Sequence, residues 1–528
     1  MLRYPAYVRI GSRVRSVAAF RRRHDVKPFP RAVLASTLLI GLVACAGGGS
    51  TVNVTGVVVT PAAPAVDLGA TVALTAGVQP ATAGQAVTWS SSDEGVATVS
   101  ASGVVTGYGL GTAVITATSV VDDDFSDAVT VSVACGTLLA VSEDIDVDTA
   151  LPLDCYLLTR AVHVSARLSL AAGSIVYAGT NGGLRIAPGG SLRAEGTALH
   201  PITFTSESGE RDDWYGVGIF SDSDDNVLDH VRMENAGNTF GSVNGMQPTN
   251  LYVGAVTPDP LEYGRVAITN SSFGDAGKLA GDSTPGTGTG LYVGWAENVL
   301  ATFEGNTFDG NGRAAIRMTS HQLGSIGAGN VFGVGAAPGA AFIEVARDGD
   351  LTSSATWRVV DVPYRFAQAH VLNDAGAVIS IDPGAVFEFE TQAGLRVGAG
   401  ALRAIGTAVA PITFTSASGE RGDWYGVGIF SDSDRNALDH VLMEKAGTTS
   451  GTVNAMQPSN LYVAATGVVA VTNSAFNDAT HPVETQPAWG IFIADGGEVT
   501  DAAGAGIDPA SDGGNTFSGN KTAPVGRP

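Results

Sequence analysis

Pro201-Ile202-Thr203-Phe204-Thr205-Ser206 recurs unchanged at residues 411–416, and the organisation of most of the chain follows from that recurrence. Working outward, Trp214-Tyr215-Gly216-Val217-Gly218-Ile219-Phe220 returns at residues 424–430, and Met246-Gln247-Pro248 returns at residues 456–458. Across residues 201–255 and 411–465 roughly four positions in five are identical. A unit that long cannot be one supersecondary element, so it must contain smaller ones. They are visible as short runs: Ile175-Val176-Tyr177, Leu184-Arg185-Ile186, Ile202-Thr203-Phe204, Val217-Gly218-Ile219-Phe220, residues 228–233 and Leu251-Tyr252-Val253. Gly, Asn, Pro or Asp punctuates each interval. β-branched residues between tight turns predict many short strands and no helices of consequence.

A second pattern places Asn shortly before Phe: Asn270 and Phe273, Asn306 and Phe308, Asn330 and Phe332, Asn473 and Phe476, Asn515 and Phe517. Asn at a recurring turn can stack into a hydrogen-bonded ladder while Phe fills the interior beneath it. Coils of this kind cannot bury an apolar face alone, so they stack along one axis. The carrying residues are Ile381-Asp382-Pro383-Gly384-Ala385, Leu395-Arg396-Val397, Leu402-Arg403-Ala404-Ile405-Gly406-Thr407, residues 411–416 and Gly422-Asp423-Trp424, with Thr356-Trp357 and Val362-Pro363-Tyr364 upstream. On these residues the chain resembles the pectin-lyase-like right-handed parallel β-helix over residues 136–520. At ~4.8 Å per coil, a dozen or so coils imply a rod on the order of 60–80 Å. A β-propeller or a string of sandwiches would leave the Asn–Phe pattern unexplained.

Residues 51–134 read differently. Val72 and Leu74, and Val114 and Thr116, alternate with small or polar neighbours as in half-buried strands. Val87-Thr88-Trp89-Ser90-Ser91-Ser92-Asp93, then Val96-Ala97-Thr98-Val99, Gly103-Val104-Val105-Thr106-Gly107 and Gly111-Thr112-Ala113-Val114-Ile115-Thr116-Ala117 follow in order. This succession resembles the group 2 bacterial immunoglobulin-like domain, which implies a β-sandwich with Trp89 in its core and a spacer or adhesive role. Asp122, Asp123 and Asp124 read as a solvated hairpin tip, with calcium as the alternative.

The N-terminus carries a basic stretch including Arg21, Arg22 and Arg23, then the apolar run AVLASTLLIGLVA over residues 32–44. That run is too short to span a bilayer and has the length of a signal h-region. Leu42-Val43-Ala44-Cys45 resembles the bacterial lipobox, which implies cleavage after residue 44 and acylation of Cys45. Residues 45–50 then form a lipidated start and flexible tether. With Cys45 lipidated, Cys135 and Cys155 remain as an even pair in an oxidising compartment, and a disulfide between them would staple the start of the second domain. The resulting layout is a signal peptide over 1–44, a tether over 45–50, an immunoglobulin-like domain over 51–134 and a β-helix over 135–520. Within the β-helix, duplicated segments lie near 168–255 and 378–465, and a tail follows over 521–528.

The formal charge is −22, and removing residues 1–44 takes away eight Arg, one Lys and one Asp, which leaves −30. A surface this acidic repels nucleic acid and anionic headgroups, so both are discounted as partners. Asp222, Asp224 and Asp225 in Ser221-Asp222-Ser223-Asp224-Asp225, repeated as Asp432 and Asp434, are candidate carboxylates for acid–base work or for calcium, the one cofactor considered. The alternative is a polar turn after a buried strand, and Arg435 in place of the third Asp weakens a strict metal site. Asp229-His230 and Asp439-His440 read as structural pairs rather than as a catalytic dyad. Trp214-Tyr215 and Trp424-Tyr425 are candidate sugar-stacking rings, with one of each pair expected in the core and the other at the surface. Residues 246–250 read as a loop. The two near-identical surfaces would suit bivalent binding of a polymer, or would follow from recent duplication alone.

No complete catalytic set emerges. The expectation is a non-catalytic lipoprotein anchored to the cell envelope, at the outer membrane or cell surface, that binds polysaccharide or another surface protein through its β-helix. The alternatives are a polysaccharide lyase or glycoside hydrolase of the pectin-lyase-like class, and a structural envelope component.

Overall fold

A computed structural model describes residues 52–238, 246–256, 262–277, 288–334, 341–448 and 456–528. Residues 1–44, the tether over 45–50 and the lipidation candidate Cys45 lie outside the described residues.

Asn53–Pro528 forms one compact unit, and among its described residues it is all-β apart from one short 3-10 turn over Ser320–Ser325. Its first part is a sandwich of antiparallel pairs with one parallel pairing, between Ala65–Asp67 and Ser126–Ala134. Ala65–Asp67, Ser126–Ala134, Gly111–Ser119 and Val87–Ser91 make one sheet, and Thr71–Ala73, Val104–Gly107 and Ala97–Val99 make another. Ser126–Ala134 shows why: Val129, Val131 and Val133 point into the core while their neighbours face water. Trp89 is half-buried at the margin of this core rather than central to it, and its ring lies against Gly103.

From Leu139 onward the long sheets are parallel and the chain coils through three faces per turn. One face runs through thirteen strands, from Ala161–Val164 to Thr516–Ser518, roughly 60 Å at ~4.8 Å per strand. Its inward column reads Val162, Leu184, Val217, Leu251, Leu291, Ile316, Ile343, Tyr364, Phe387, Phe414, Met443, Phe476 and Phe517. This is period-two alternation applied coil after coil, and each fully buried side chain of that size contributes about 1.5–3 kcal/mol.

The Asn–Phe pattern becomes ring stacks and amide bridges. Phe273, Phe308 and Phe332 stack at 5.2 and 5.4 Å, and Phe476 stacks on Phe517 at 5.6 Å. The Asn306 side chain accepts from the Ser271 backbone N–H at 3.0 Å and donates to the Ile268 carbonyl at 3.0 Å. Asn330 repeats this one coil on, taking the Asn306 N–H at 2.9 Å, and Asn515 takes that of Ser474 at 3.0 Å. Asn270 and Asn473 do something else. They adopt φ of +50° and +49° and donate to Asp229 and Asp439. Further corner amides that the Asn–Phe spacing does not reveal are Asn226 and Asn436, which bridge three successive coils, and Asn250 and Asn460. Thr249–Val253 is a strand, so the expected loop over 246–250 is shorter than its sequence suggested.

The duplication shifts phase between the copies. Phe204, Met233, Phe273 and Phe308 lie in an eight-stranded face, whereas their counterparts Phe414, Met443, Phe476 and Phe517 lie in the thirteen-stranded face. In the first copy that same thirteen-stranded face carries Val217–Ile219, the next strand of the repeat. Equivalent surfaces of the two copies therefore face different directions around the axis. A polymer running straight along one face does not meet the equivalent surfaces of both copies.

The sandwich packs against the first coils. Cys155 belongs to its core, with Leu138, Leu153, Ile175 and Tyr177 against it, and Tyr108 stacks on His200 at 4.7 Å. Cys135 and Cys155 are joined as a disulfide across this junction, with Cα atoms 5.7 Å apart and a sequence separation of 20. Cys135→Ser with Cys155→Ser is expected to cost about 3 kcal/mol through loop-closure entropy, read as a lowered thermal midpoint under non-reducing conditions. An unchanged midpoint would mean the apolar contacts alone fix the junction.

Candidate functional site

The outward column of the thirteen-stranded face is the most chemically loaded surface. By register it reads His163, Arg185, Gly218, Tyr252, Tyr292, Arg317, Glu344, Arg365, Glu388 and Thr415. Aromatic rings occupy its middle and alternating charges follow. Phe220 and Tyr252 lie 5.5 Å apart, and Tyr252 and Tyr292 meet edge to face at 5.4 Å. Guanidinium groups lie over rings on this surface: Arg185 over Phe220 at 3.9 Å, Arg317 over Tyr292 at 4.9 Å and Arg365 over Phe342 at 3.9 Å. Burial pushes the Tyr252 hydroxyl up to about 12, so it remains a neutral donor at physiological pH. Trp295, just beyond the strand Thr289–Val293, is 42% exposed. Glu344 is almost fully buried, held by Arg313 at 2.6 and 2.8 Å, and Arg365 pairs with Glu388 at 2.7 Å. Phe220 and Tyr252 are themselves buried, at 2% and 7% exposure, so the rings this face offers to a sugar are the half-buried Tyr292 and the exposed Trp295, beside the Arg317 guanidinium.

The stacking rings expected from sequence are not surface rings. Trp214 and Trp424 are fully enclosed, and Tyr215 and Tyr425 are buried at 8% and 6% exposure. The indoles donate to the Glu234 and Glu444 carbonyls at 2.9 and 3.0 Å. The expectation rested on strand alternation, but these residues form a corner. Trp214 makes only an isolated bridge to Ala236, and Gly216 at φ +83° and Gly426 at φ +88° follow immediately. Trp214 and Trp424 turn into the core, while Tyr215 and Tyr425 lie outside the core cluster but are covered, the Tyr215 hydroxyl donating to Asn181 at 3.1 Å.

The acidic turns are built as polar turns. Ser221 and Asn226 are buried anchors, while Asp222 and Asp224 project outward, as do Asp432 and Asp434. Asp224 pairs with Arg265 and Asp225 with Arg167, while Arg435 donates to the Ala375 carbonyl at 2.9 Å. Among the described residues no three His, Cys, Asp or Glu side chains converge as a metal site requires, so the geometry adds nothing to calcium at Asp222, Asp224, Asp432 or Asp434. Asp229 accepts from Thr269 at 2.7 Å and Asn270 at 2.9 Å, beside His230 at φ +49°. Burial pushes the Asp229 carboxyl up, but the hydrogen bonds from Asn270 and Thr269 outweigh it and hold the group below its ordinary value. Asp439 repeats this arrangement with Asn473 and Thr472.

Residues 53–140 match the bacterial Ig-like domain (group 2). A protein of Bifidobacterium longum subsp. longum, a 3-O-alpha-D-galactosyl-alpha-L-arabinofuranosidase, is 52% identical over 68 residues. That stretch is 13% of this chain and only 6% of the length of the curated relative it matches. No helix among the described residues is long and apolar enough to cross a membrane.

Proposed function

We propose that this chain is an exported lipoprotein, anchored to the cell envelope through Cys45, whose β-helix binds polysaccharide without cleaving it. The observation that carries the reading is the outward pair of Tyr292 and Arg317 on adjacent strands, with the exposed ring of Trp295 beside it. A rigid parallel stack holds successive side chains at the spacing of the strands, so a polymer lying along the axis meets several contacts at once. The short likeness to a protein named for a glycosidase, and the immunoglobulin-like domain, are in keeping with a carbohydrate-related surface protein.

The test is a screen of the purified full chain against a polysaccharide panel, with reducing-end and unsaturated-product assays on every hit. Saturable binding without product is the expected result, weakened at least tenfold by Trp295→Ala together with Tyr292→Ala. Product formation would overturn the non-catalytic reading in favour of a lyase or hydrolase. A blank panel would overturn carbohydrate binding and leave a surface-protein partner or a structural envelope role. Cys45→Ala is expected to abolish palmitate labelling in cells, and retained labelling would overturn the anchor.

A further inference from the structure

Resting on the polysaccharide-binding reading, we infer that the coils following the first copy of the repeat hold a pocket for a singly charged anionic sugar substituent, a carboxylate or a sulfate ester, between Arg313, Arg317 and Tyr292, and that the coils in the same register after the second copy lack it. Three observations converge on this pocket.

The first is charge. Arg313 and Arg317 both face Glu344, the bidentate partner of Arg313. Two guanidinium groups share one carboxylate, so the cluster carries an excess positive charge within a chain of formal charge −22. The Arg317 Nε lies 3.4 Å from Glu344 but forms no hydrogen bond. Its pairing with Glu344 is therefore looser than the bidentate grip of Arg313.

The second is space with an unmet hydroxyl. Gln247, Pro248, Thr289, Tyr292, Arg313 and Arg317 line a cavity of about 130 Å³. Thr289 is 3% exposed, and its hydroxyl has no hydrogen-bond partner among the described residues. A buried hydroxyl left unpaired is costly, and Thr289 is one of the residues that line this cavity. The volume is about four water molecules at ~30 Å³ each, which suits a charged substituent rather than a whole oligosaccharide. The Tyr292 ring, under Arg317, forms one wall on which the sugar itself can rest.

The third is the comparison with the coils after the second copy. Strand pairing equates Thr289 with Trp489, Tyr292 with Phe492 and Arg317 with Gly526. The Arg313 N–H bonds to Gly288 at 2.9 Å as the Thr522 N–H bonds to Ala488 at 2.9 Å, which equates Arg313 with Thr522. Both arginines are therefore absent from the coils after the second copy. There an indole stands in place of the Thr289 hydroxyl, packed on Phe492 at 4.8 Å and against Met456. The coils after the second copy are closed by apolar packing, and those after the first are open and cationic.

The full chain is titrated by calorimetry with methyl glucuronoside, glucose 6-sulfate, inorganic sulfate and methyl glucoside. Saturable binding of at least one charged sugar is expected, with methyl glucoside at least tenfold weaker. Whichever of the acid and the sulfate ester binds tighter identifies the substituent. Thr289→Trp, which copies the coils after the second copy, is expected to abolish that binding, and Arg317→Gln to weaken it at least tenfold, both with unchanged thermal midpoints. Should Thr289→Trp fail to fold, Arg317→Gln carries the test alone. Charged-sugar binding that survives both variants overturns this pocket. Binding of neutral polysaccharide with no preference for charge overturns the pocket while leaving the polysaccharide reading intact. A response to inorganic sulfate alone, or no sugar response at all, overturns the pocket, and in the latter case a blank polysaccharide panel overturns the wider reading as well.

Discussion

Trp424→Ala is expected to destabilise its coil by about 3–5 kcal/mol, and Trp214→Ala to do the same in the first copy. Trp424 is fully buried and stacks on Phe389 with ring centroids 4.4 Å apart and planes within 7°. Its indole N–H also satisfies the Glu444 carbonyl at 3.0 Å. Truncation removes the apolar contact, leaves a void that neighbouring strands cannot close, and orphans a buried acceptor. The long chain need not unfold in one step, because each coil of a solenoid leans only on its neighbours. The measurement is therefore local: amide exchange resolved by segment. Protection should fall around Phe389 and Glu444 in the Trp424 variant and remain native in coils far along the stack. Trp424→Phe, which keeps an aromatic ring, should lose less. Native protection combined with lost polysaccharide binding would return Trp424 to a ligand role and sink the core assignment.

That result bears on what a sequence can and cannot show in a stacked fold. The strands themselves were legible, because alternation in runs such as Leu184-Arg185-Ile186 is a local property. The Asn–Phe spacing was legible for the same reason: Asn306 and Phe308 lie on one coil. What lay beyond reach depends on which coil lies above which. The burial of both Trp214 and Tyr215 occurs at a corner closed by Gly216 at φ +83°, and short-range alternation misassigns a corner read as a strand. The alternation Arg317, Glu344, Arg365, Glu388 is a single column in space, yet its members are 21 to 27 residues apart in the chain. The unequal coil lengths that separate them hide any fixed period. The phase shift between copies is hidden for a related reason, since it arises in the coils between them and leaves each copy's own sequence untouched. The candidate site lies on that column, so none of Tyr292, Arg313 or Arg317 was marked by motif.

Acidification toward pH 4 is expected to loosen the coils that join the two copies by about 3 kcal/mol, through His370. This residue lies in the strand Ala369–Ile381, is 1% exposed, and packs edge-on against Phe366 at 4.8 Å. One ring nitrogen is 3.0 Å from the Ser320 hydroxyl, and the other has no partner among the described residues. Burial disfavours the charged ring, and the positive charge of Arg347 and the neighbouring His321 add to the effect, so its pKa falls from 6.5 to about 3. The folded state thus holds His370 neutral, while the unfolded chain takes up a proton below about pH 6.5. Its neutral burial costs nothing above that pH. Below it, stability declines by about 1.4 kcal/mol per pH unit until the folded ring itself is protonated near pH 3. Asp229 and Asp439 act lower on the scale. Their folded pKa values lie below 3.8, so the stability they contribute is lost as the pH falls below 3.8, at the acid end of the window in which His370 acts. His370→Leu keeps the ring's approximate bulk without a titrating group. Segment-resolved amide exchange at pH 7 and near pH 4, corrected for the intrinsic exchange rate, should show the native chain losing protection over Ala369–Ile381 and the variant losing far less. Parallel loss in both proteins would place the acid sensitivity elsewhere. If His370 is responsible, the joint yields first in acid while the inward aromatic stack of the second copy and the coils after it, which has no titrating group at Phe387, Phe414, Phe476 or Phe517, stays closed.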